Sequence, residues 1–171
     1  TLLKNGKTLT ALPVVLTPND DITSYLSTSI MSITDGQIVL DLGVFRQGIR
    51  PAVNAGLSVS RVGGQAQTHR QKGLSSTLFQ KLAKYHSAEE FSHFGSSLSK
   101  EASIDLTLGK QIYAALQQPP DERHSLVDQQ LILETILLGE GTVEIDVPGL
   151  KAAVKKMNAK VKDDKEFDRL E

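Results

Sequence analysis

The 171-residue chain contains no cysteine. That absence excludes disulfides, thiol nucleophiles and cysteine-ligated zinc sites, and it fits a reducing compartment. An excess of charge of either sign is also missing. Nineteen Lys and Arg stand against 20 Asp and Glu, for a formal net charge of −1. No overall field therefore draws the protein to nucleic acid or to an acidic membrane surface, and nucleic acid is not an expected partner. The apolar runs are far too short to span a bilayer and the N-terminus has no secretory-signal pattern, so direct membrane insertion is not expected. His69, His86, His93 and His124 are the four histidines. They form no HExxH pair and sit beside no acidic cluster with ligand spacing, so they read as surface residues and no metal site is expected. The chain opens on Thr1 rather than Met, as a piece trimmed from something longer would. What is present, 39% hydrophobic and 23% charged residues, is the composition of a soluble globular protein long enough for one ordinary domain or two small ones.

The first third reads as strands and turns. Leu9, Leu12, Val14 and Val15 form an apolar run stopped by Thr17-Pro18-Asn19-Asp20, and Pro13 inside it argues for a strand edge or start. Gln37-Ile38-Val39-Leu40 follows the turn Asp35-Gly36. These short runs lack a helical period and suggest pieces of a buried sheet. The pattern changes near Thr68. Leu74, Leu78, Leu82 and Tyr85 recur at helical spacing. Ser87-Ala88-Glu89-Glu90 fits a capping box that would open the next helix, with Phe91, Phe94 and Leu98 on its buried side. Ile104, Leu108, Ile112, Ala115 and Leu116 mark a third helix that Pro119-Pro120 must end. Ser125 to Asp128 is another capping-box start, for a helix carrying Leu131, Ile132, Ile136 and Leu138 and stopped by Gly139 and Gly141. Val143, Ile145 and Val147 alternate as a strand would, but Pro148 follows and a loop is expected. Val154, Met157 and Val161 lie on one face of a lysine-rich tail that reads as a solvated amphipathic helix. The expected fold is mainly α with a small β part: an α/β remnant over residues 1–67, then an all-α helical bundle over 68–171.

Gly6-Lys7-Thr8 has the ending of a phosphate-binding loop. That loop needs an earlier glycine, where Thr1 stands, and a helix behind it whose N-terminus faces the anion. An apolar run with Pro13 follows instead, so a hairpin turn is the expected role.

The chemistry concentrates further along. Ser32-Ile33-Thr34-Asp35-Gly36-Gln37 is followed by Gly48-Ile49-Arg50-Pro51-Ala52 and by Gly56-Leu57-Ser58-Val59-Ser60-Arg61-Val62-Gly63. This places an arginine on a short strand-like stretch between glycine-rich turns, which let the backbone approach another surface closely. A guanidinium is always charged and its planar fork of donors suits phosphate oxygens. On a rim, with no phosphate loop in its own chain, such an arginine can act in trans as an arginine finger. The plainer reading is a structural salt bridge, and the residues by themselves leave both open.

Those three strings, in this order and at this spacing, resemble the alpha subunits of rotary F-type ATP synthases. Thr10-Ala11-Leu12-Pro13 and Gln65-Ala66-Gln67-Thr68 match as well, and the resemblance covers roughly residues 8 to 140. The related beta subunit differs at the Ser-Val-Ser-Arg segment, and the same motif disfavours an export-apparatus ATPase. The resemblance implies the end of a P-loop-type nucleotide-binding domain followed by a helical C-terminal domain. It implies that Arg61 reaches across an interface to the γ-phosphate in a beta-subunit site, with Ser32 as its neighbour there. Arg50 and Pro51 would flank the adenine of the alpha subunit's own non-catalytic nucleotide, with Gln118 as one of two glutamines lining that pocket. Pro120 stands where the family has the second. Implied partners are the beta subunits and the central gamma shaft, and implied ligands are ATP or ADP with Mg in the parent complex. The implied location is peripheral, on the inner face of an energy-coupling membrane, on the bacterial cytoplasmic or mitochondrial matrix side. For the chain alone the expectation is a structural, interacting helical module with no bound nucleotide, inactive, and self-associating through its N-terminal part.

Overall fold

The computed structural model describes residues 6–18, 21–93 and 99–157. Its order is α1 (Tyr25–Ile33), β1 (Gly36–Gln37), α2 (Leu42–Arg46), β2 (Val59–Ser60), a 3-10 turn (Gly63–Ala66), then α3 (His69–His93), α4 (Lys100–Leu116), α5 (Leu126–Leu138) and α6 (Val147–Met157). The architecture is mainly α with a small β part.

The core is built by the last four helices. Leu108 and Ile112 of α4, Leu131, Ile132 and Ile136 of α5, and Val147 and Val154 of α6 form one buried cluster, against which Leu78 and Leu82 of α3 pack. Leu108, Ile112 and Ile136 are fully enclosed, and burying an aliphatic side chain of this size stabilises by about 1.5–3 kcal/mol. The helix ends are set locally. The Ser99 hydroxyl accepts from Ala102 N and caps α4. Ser125 and Asp128 close a reciprocal capping box at the start of α5. Gly139 ends α5. Gln117 leaves α4 in an extended conformation just before the Pro119-Pro120 pair, which cannot continue a helix.

Several expectations are corrected. Ser87 does not open a helix, because α3 runs unbroken from His69 to His93. Tyr85 and Ala88, on either side of the expected break, are both buried, so packing against α4 carries the helix through a sequence that could have capped a new one. Phe91 is exposed rather than buried, while Phe94, Leu98 and Val161 lie outside the described residues. Residues 9–17 form no strand, and Leu12, Val14 and Leu16 are exposed. The buried sheet is instead a two-residue antiparallel ribbon, β1 with β2, beside an isolated Leu40–Val53 bridge. Ile38 and Leu40 are exposed on it, since no further layer covers that face among the described residues. The loop expected at Val143 and Ile145 is present, but Val147 already opens α6, with Pro148 in its first turn where a missing N–H costs nothing. Met157 on the same helix is exposed. The side chain of His124 is almost fully buried, not on the surface.

Candidate functional site

Two arginines of the first third are positioned by the ribbon and by α2. Gly36 and Gln37 pair with Ser60 and Val59. A Cβ on Gly36 would lie 2.5 Å from the Val59 carbonyl oxygen, so this register requires glycine. The Arg61 N–H donates to Asp35 O at 2.8 Å and fixes where the arginine leaves the ribbon. Its guanidinium then reaches back onto α1. Nη1 donates to Ser32 O at 3.2 Å and Nη2 to Met31 O at 3.0 Å. These are among the last carbonyls of the helix, which lack intrahelical partners and carry the negative end of its dipole. Arg61 is exposed, and among the described residues no carboxylate forms an ion pair with it. Ser32 is therefore Arg61's neighbour through its carbonyl. Its hydroxyl donates back to Ser29 O at 2.7 Å.

The Asp41 carboxylate accepts from Val44 N at 3.1 Å, capping α2, and from the Asn54 side-chain amide at 3.0 Å. The amide of Asn54 and then the Val44 N–H hold that carboxyl below the usual aspartate range. After α2 comes Arg50, followed by a cis peptide bond to Pro51. Its Nη1 donates to Phe45 O at 2.6 Å and Ile49 O at 2.9 Å. Its guanidinium carbon lies 3.4 Å from the Phe45 ring centroid, a cation–π stack.

Gln118 joins this loop from the helical part. Its backbone N–H donates to Arg50 O at 2.8 Å, and its side-chain Nε2 donates to Glu122 O at 2.5 Å. A cavity of about 60 Å³ beside it is also lined by Leu116, Gln129 and His124. His124 Nε2 lies 2.8 Å from Glu122 Oε1, and its Nδ1 is buried without a hydrogen-bond partner among the described residues. The tertiary structure thus brings Arg61 to Ser32, and Arg50, which Pro51 follows, to Gln118. Pro120 has no donor to offer there. The side-chain oxygen of Gln118 remains as an acceptor and Arg50 has further N–H donors, which is the hydrogen-bonding chemistry that the edge of a purine requires. Among the described residues no group of three or more His, Asp or Glu converges as a metal site would require, and no helix is long and apolar enough to cross a membrane.

Residues 1–60 match the nucleotide-binding domain of the ATP synthase alpha/beta family, and residues 67–169 match the C-terminal domain of the ATP synthase alpha/beta chain. The chain belongs to the ATP synthase alpha/beta family. Within this family it is similar to proteins named ATP synthase subunit alpha. It is 43% identical to that of Corynebacterium jeikeium over 143 residues, covering 84% of this chain and 26% of the relative. It is 42% identical to that of Clostridium acetobutylicum over 147 residues, covering 86% and 29%, and 42% identical to that of Clostridium botulinum over 152 residues, covering 89% and 30%. The chain therefore spans less than a third of the length of these relatives. The ribbon and its exposed apolar residues lie within the stretch that matches the nucleotide-binding domain.

The sequence reading missed α1, α2 and the Asp41–Asn54 pair. A signal was present: Asp41 precedes Leu42-Gly43-Val44-Phe45 as an N-cap residue would, and Asn54 sits two residues before Gly56 in a turn-forming position.

Proposed function

We propose that the chain is part of the non-catalytic alpha subunit of a rotary F-type ATP synthase, a complex that makes ATP from ADP and phosphate using a transmembrane ion gradient. The observation that carries this reading is Arg61: an exposed guanidinium anchored on the C-terminal carbonyls of α1, without a carboxylate partner among the described residues, in a chain of this family. Neutral carbonyls orient the guanidinium without cancelling its charge, which leaves it available to an anion on a neighbouring subunit. Arg61 would neutralise charge that develops on the transferred phosphoryl group in a beta-subunit site, with Ser32 beside it. Arg50, Pro51 and Gln118 would flank the adenine of the alpha subunit's own ATP or ADP with Mg, which supplies a bound phosphate chain there. The partners are beta subunits and the gamma shaft. The location is peripheral, on the inner face of the energy-coupling membrane, and the bacterial cytoplasmic side suits the bacterial relatives.

The test replaces Arg61 by Ala in the assembled complex and measures multisite ATP turnover. A loss of about a thousandfold is expected for a finger acting in trans. Near-normal turnover would sink the assignment. The second reading, a helical module with no nucleotide role, applies to the chain alone. It is favoured by the continuous apolar core of α4, α5 and α6, which owes nothing to the arginines. It predicts no measurable hydrolysis and no tight ATP binding by the isolated chain, and a micromolar dissociation constant would refute it.

A further inference from the structure

Between the Arg50 arm and the Arg61 arm stands Asn54, whose polar atoms are all engaged. Its side-chain Nδ2 donates to Asp41 Oδ2 at 3.0 Å. Its Oδ1 accepts from Gly56 N at 3.0 Å and Leu57 N at 3.1 Å. Its backbone N–H donates to Val39 O at 2.9 Å, and its carbonyl accepts from Ser58 N at 3.0 Å and from the Ser58 hydroxyl at 2.6 Å. Ser58 Oγ in turn accepts from Val39 N at 3.0 Å. On the other side, Asp41 caps α2 through Val44 N and donates its own N–H to Ala52 O at 2.9 Å. β2 begins at Val59, directly after Ser58, and Arg61 follows it. Asn54 is thus bonded both to the cap of the helix that leads to Arg50 and to the turn that leads to Arg61. A side-chain amide donates through its nitrogen to one group while its oxygen accepts from another, which a carboxylate, acceptor-only, cannot do.

We propose that Asn54 is a positioning residue for Arg61, acting through its amide bond to Asp41, so that the arms bearing Arg50 and Arg61 form one frame. The proposal rests on the reading of Arg61 as a trans-acting finger. Phosphoryl transfer assisted in this way depends on placement, and a misplacement of about 1 Å costs up to about a hundredfold in rate. A change at Asn54 moves β2 relative to α2 and so displaces the guanidinium without removing it.

The pair can be exchanged. In the swap Asp41→Asn with Asn54→Asp, the amide now at position 41 accepts from Val44 N through its oxygen and donates through its nitrogen. The carboxylate now at position 54 takes that bond and still accepts from Gly56 N and Leu57 N. Every hydrogen bond of the pair is restored and the net charge is unchanged. The single variant Asn54→Asp instead opposes two carboxylates. In the assembled complex, Asn54→Asp is expected to lower kcat for ATP hydrolysis about tenfold or more with KM nearly unchanged, as for an interaction strengthened in the transition state. Its deficit should narrow as pH falls, because protonating one carboxyl supplies the missing donor. The swap should recover most of the lost kcat. In an Arg61→Ala background Asn54→Asp should have almost no further effect.

An Asn54→Asp complex with parental kcat overturns the proposal. So does a swap variant that fails to regain turnover, whether or not the single variant assembles, and so does an undiminished effect in the Arg61→Ala background. Normal turnover of Arg61→Ala alone overturns the finger reading instead. Loss in Arg61→Ala with none in Asn54→Asp removes only the positioning role.

Discussion

Arg61 caps the helix that carries Ser32: its guanidinium donates to Ser32 O at 3.2 Å and to Met31 O at 3.0 Å, 29 and 30 residues back along the chain. The arginine that the sequence singled out for chemistry thus also donates to two carbonyls at the end of α1, one of which, Met31 O, also accepts from the Thr34 hydroxyl at 3.3 Å. Its removal should have two separable effects, on a distant phosphate and on the helix itself.

For the helix, Arg61→Ala in the isolated chain should raise amide hydrogen exchange in the last turn of α1, around Ile30 to Thr34. Loss of two charge-assisted hydrogen bonds at an exposed site amounts to about 0.5–2 kcal/mol of local stability. Arg61→Lys should recover part of this, because an ammonium lacks the fork that reaches both carbonyls. Unchanged exchange in both variants would show that the contact contributes nothing to α1.

Arg50 and Gln118 are joined through Gln118 N and Arg50 O at 2.8 Å. If they flank a nucleotide, the double variant Arg50→Ala, Gln118→Ala in the assembled complex should lose retained nucleotide at the non-catalytic site during gel filtration. Retention equal to the parent's would remove both residues from that role. The backbone bond survives the substitutions, so a loss would report on the side chains.

Gly109 on α4 lies under the Tyr85 ring, and a Cβ there would come within 2.1 Å of it. Gly109→Ala gains about 1 kcal/mol of helix propensity but forces Tyr85 away from α4. Overpacking of this kind costs about 1–3 kcal/mol or more. A net loss in denaturant midpoint is expected, and an increase would mean that α3 slides without penalty.

Tyr85 should make the fold sensitive to alkali. Burial, then its 2.7 Å hydrogen bond to Glu89 Oε1, push its phenol from 10.0 up to about 12. The raised value means that the folded state keeps its proton where the unfolded state has lost it. This contribution is complete below pH 10 and is lost as pH rises from about 10 to about 12. Burial and the Glu89 carboxylate push Tyr113 the same way. Thermal melts across that window should fall more steeply for the parent than for Tyr85→Phe. Equal slopes would contradict this.

The isolated chain should self-associate. Leu12, Val14, Leu16, Ile38, Leu40 and Phe45 are all exposed in its first third, and a short ribbon with an uncovered apolar face is a template for further pairing. A clean monomer by size-exclusion chromatography with light scattering would count against this.

The helical two-thirds were largely legible in the sequence because their signals are local. Ser125 and Asp128 close the capping box that their spacing implies, and the Pro119-Pro120 pair ends α4 by sterics alone. Ser87 was misleading for the same reason. A cap is worth about 1 kcal/mol, and burial of Tyr85 and Ala88 against α4 outweighs it. Strand expectations failed where a strand needs a partner, since no local preference pairs residues 9–17 with anything.

For the site, the residue types narrowed the chemistry to two arginines flanked by glycine turns, within a family pattern that has Pro120 in place of a glutamine, and left a finger and a structural salt bridge both open. What those residues touch follows from packing. It sets Arg61 on the end of α1, stacks Arg50 on Phe45, ties Gln118 to Arg50 from a distant part of the chain, and makes Asn54 the joint between the arms. Residue types fix which hydrogen bonds are possible, whereas the choice among many possible partners is made by the packing that brings distant segments within about 3 Å.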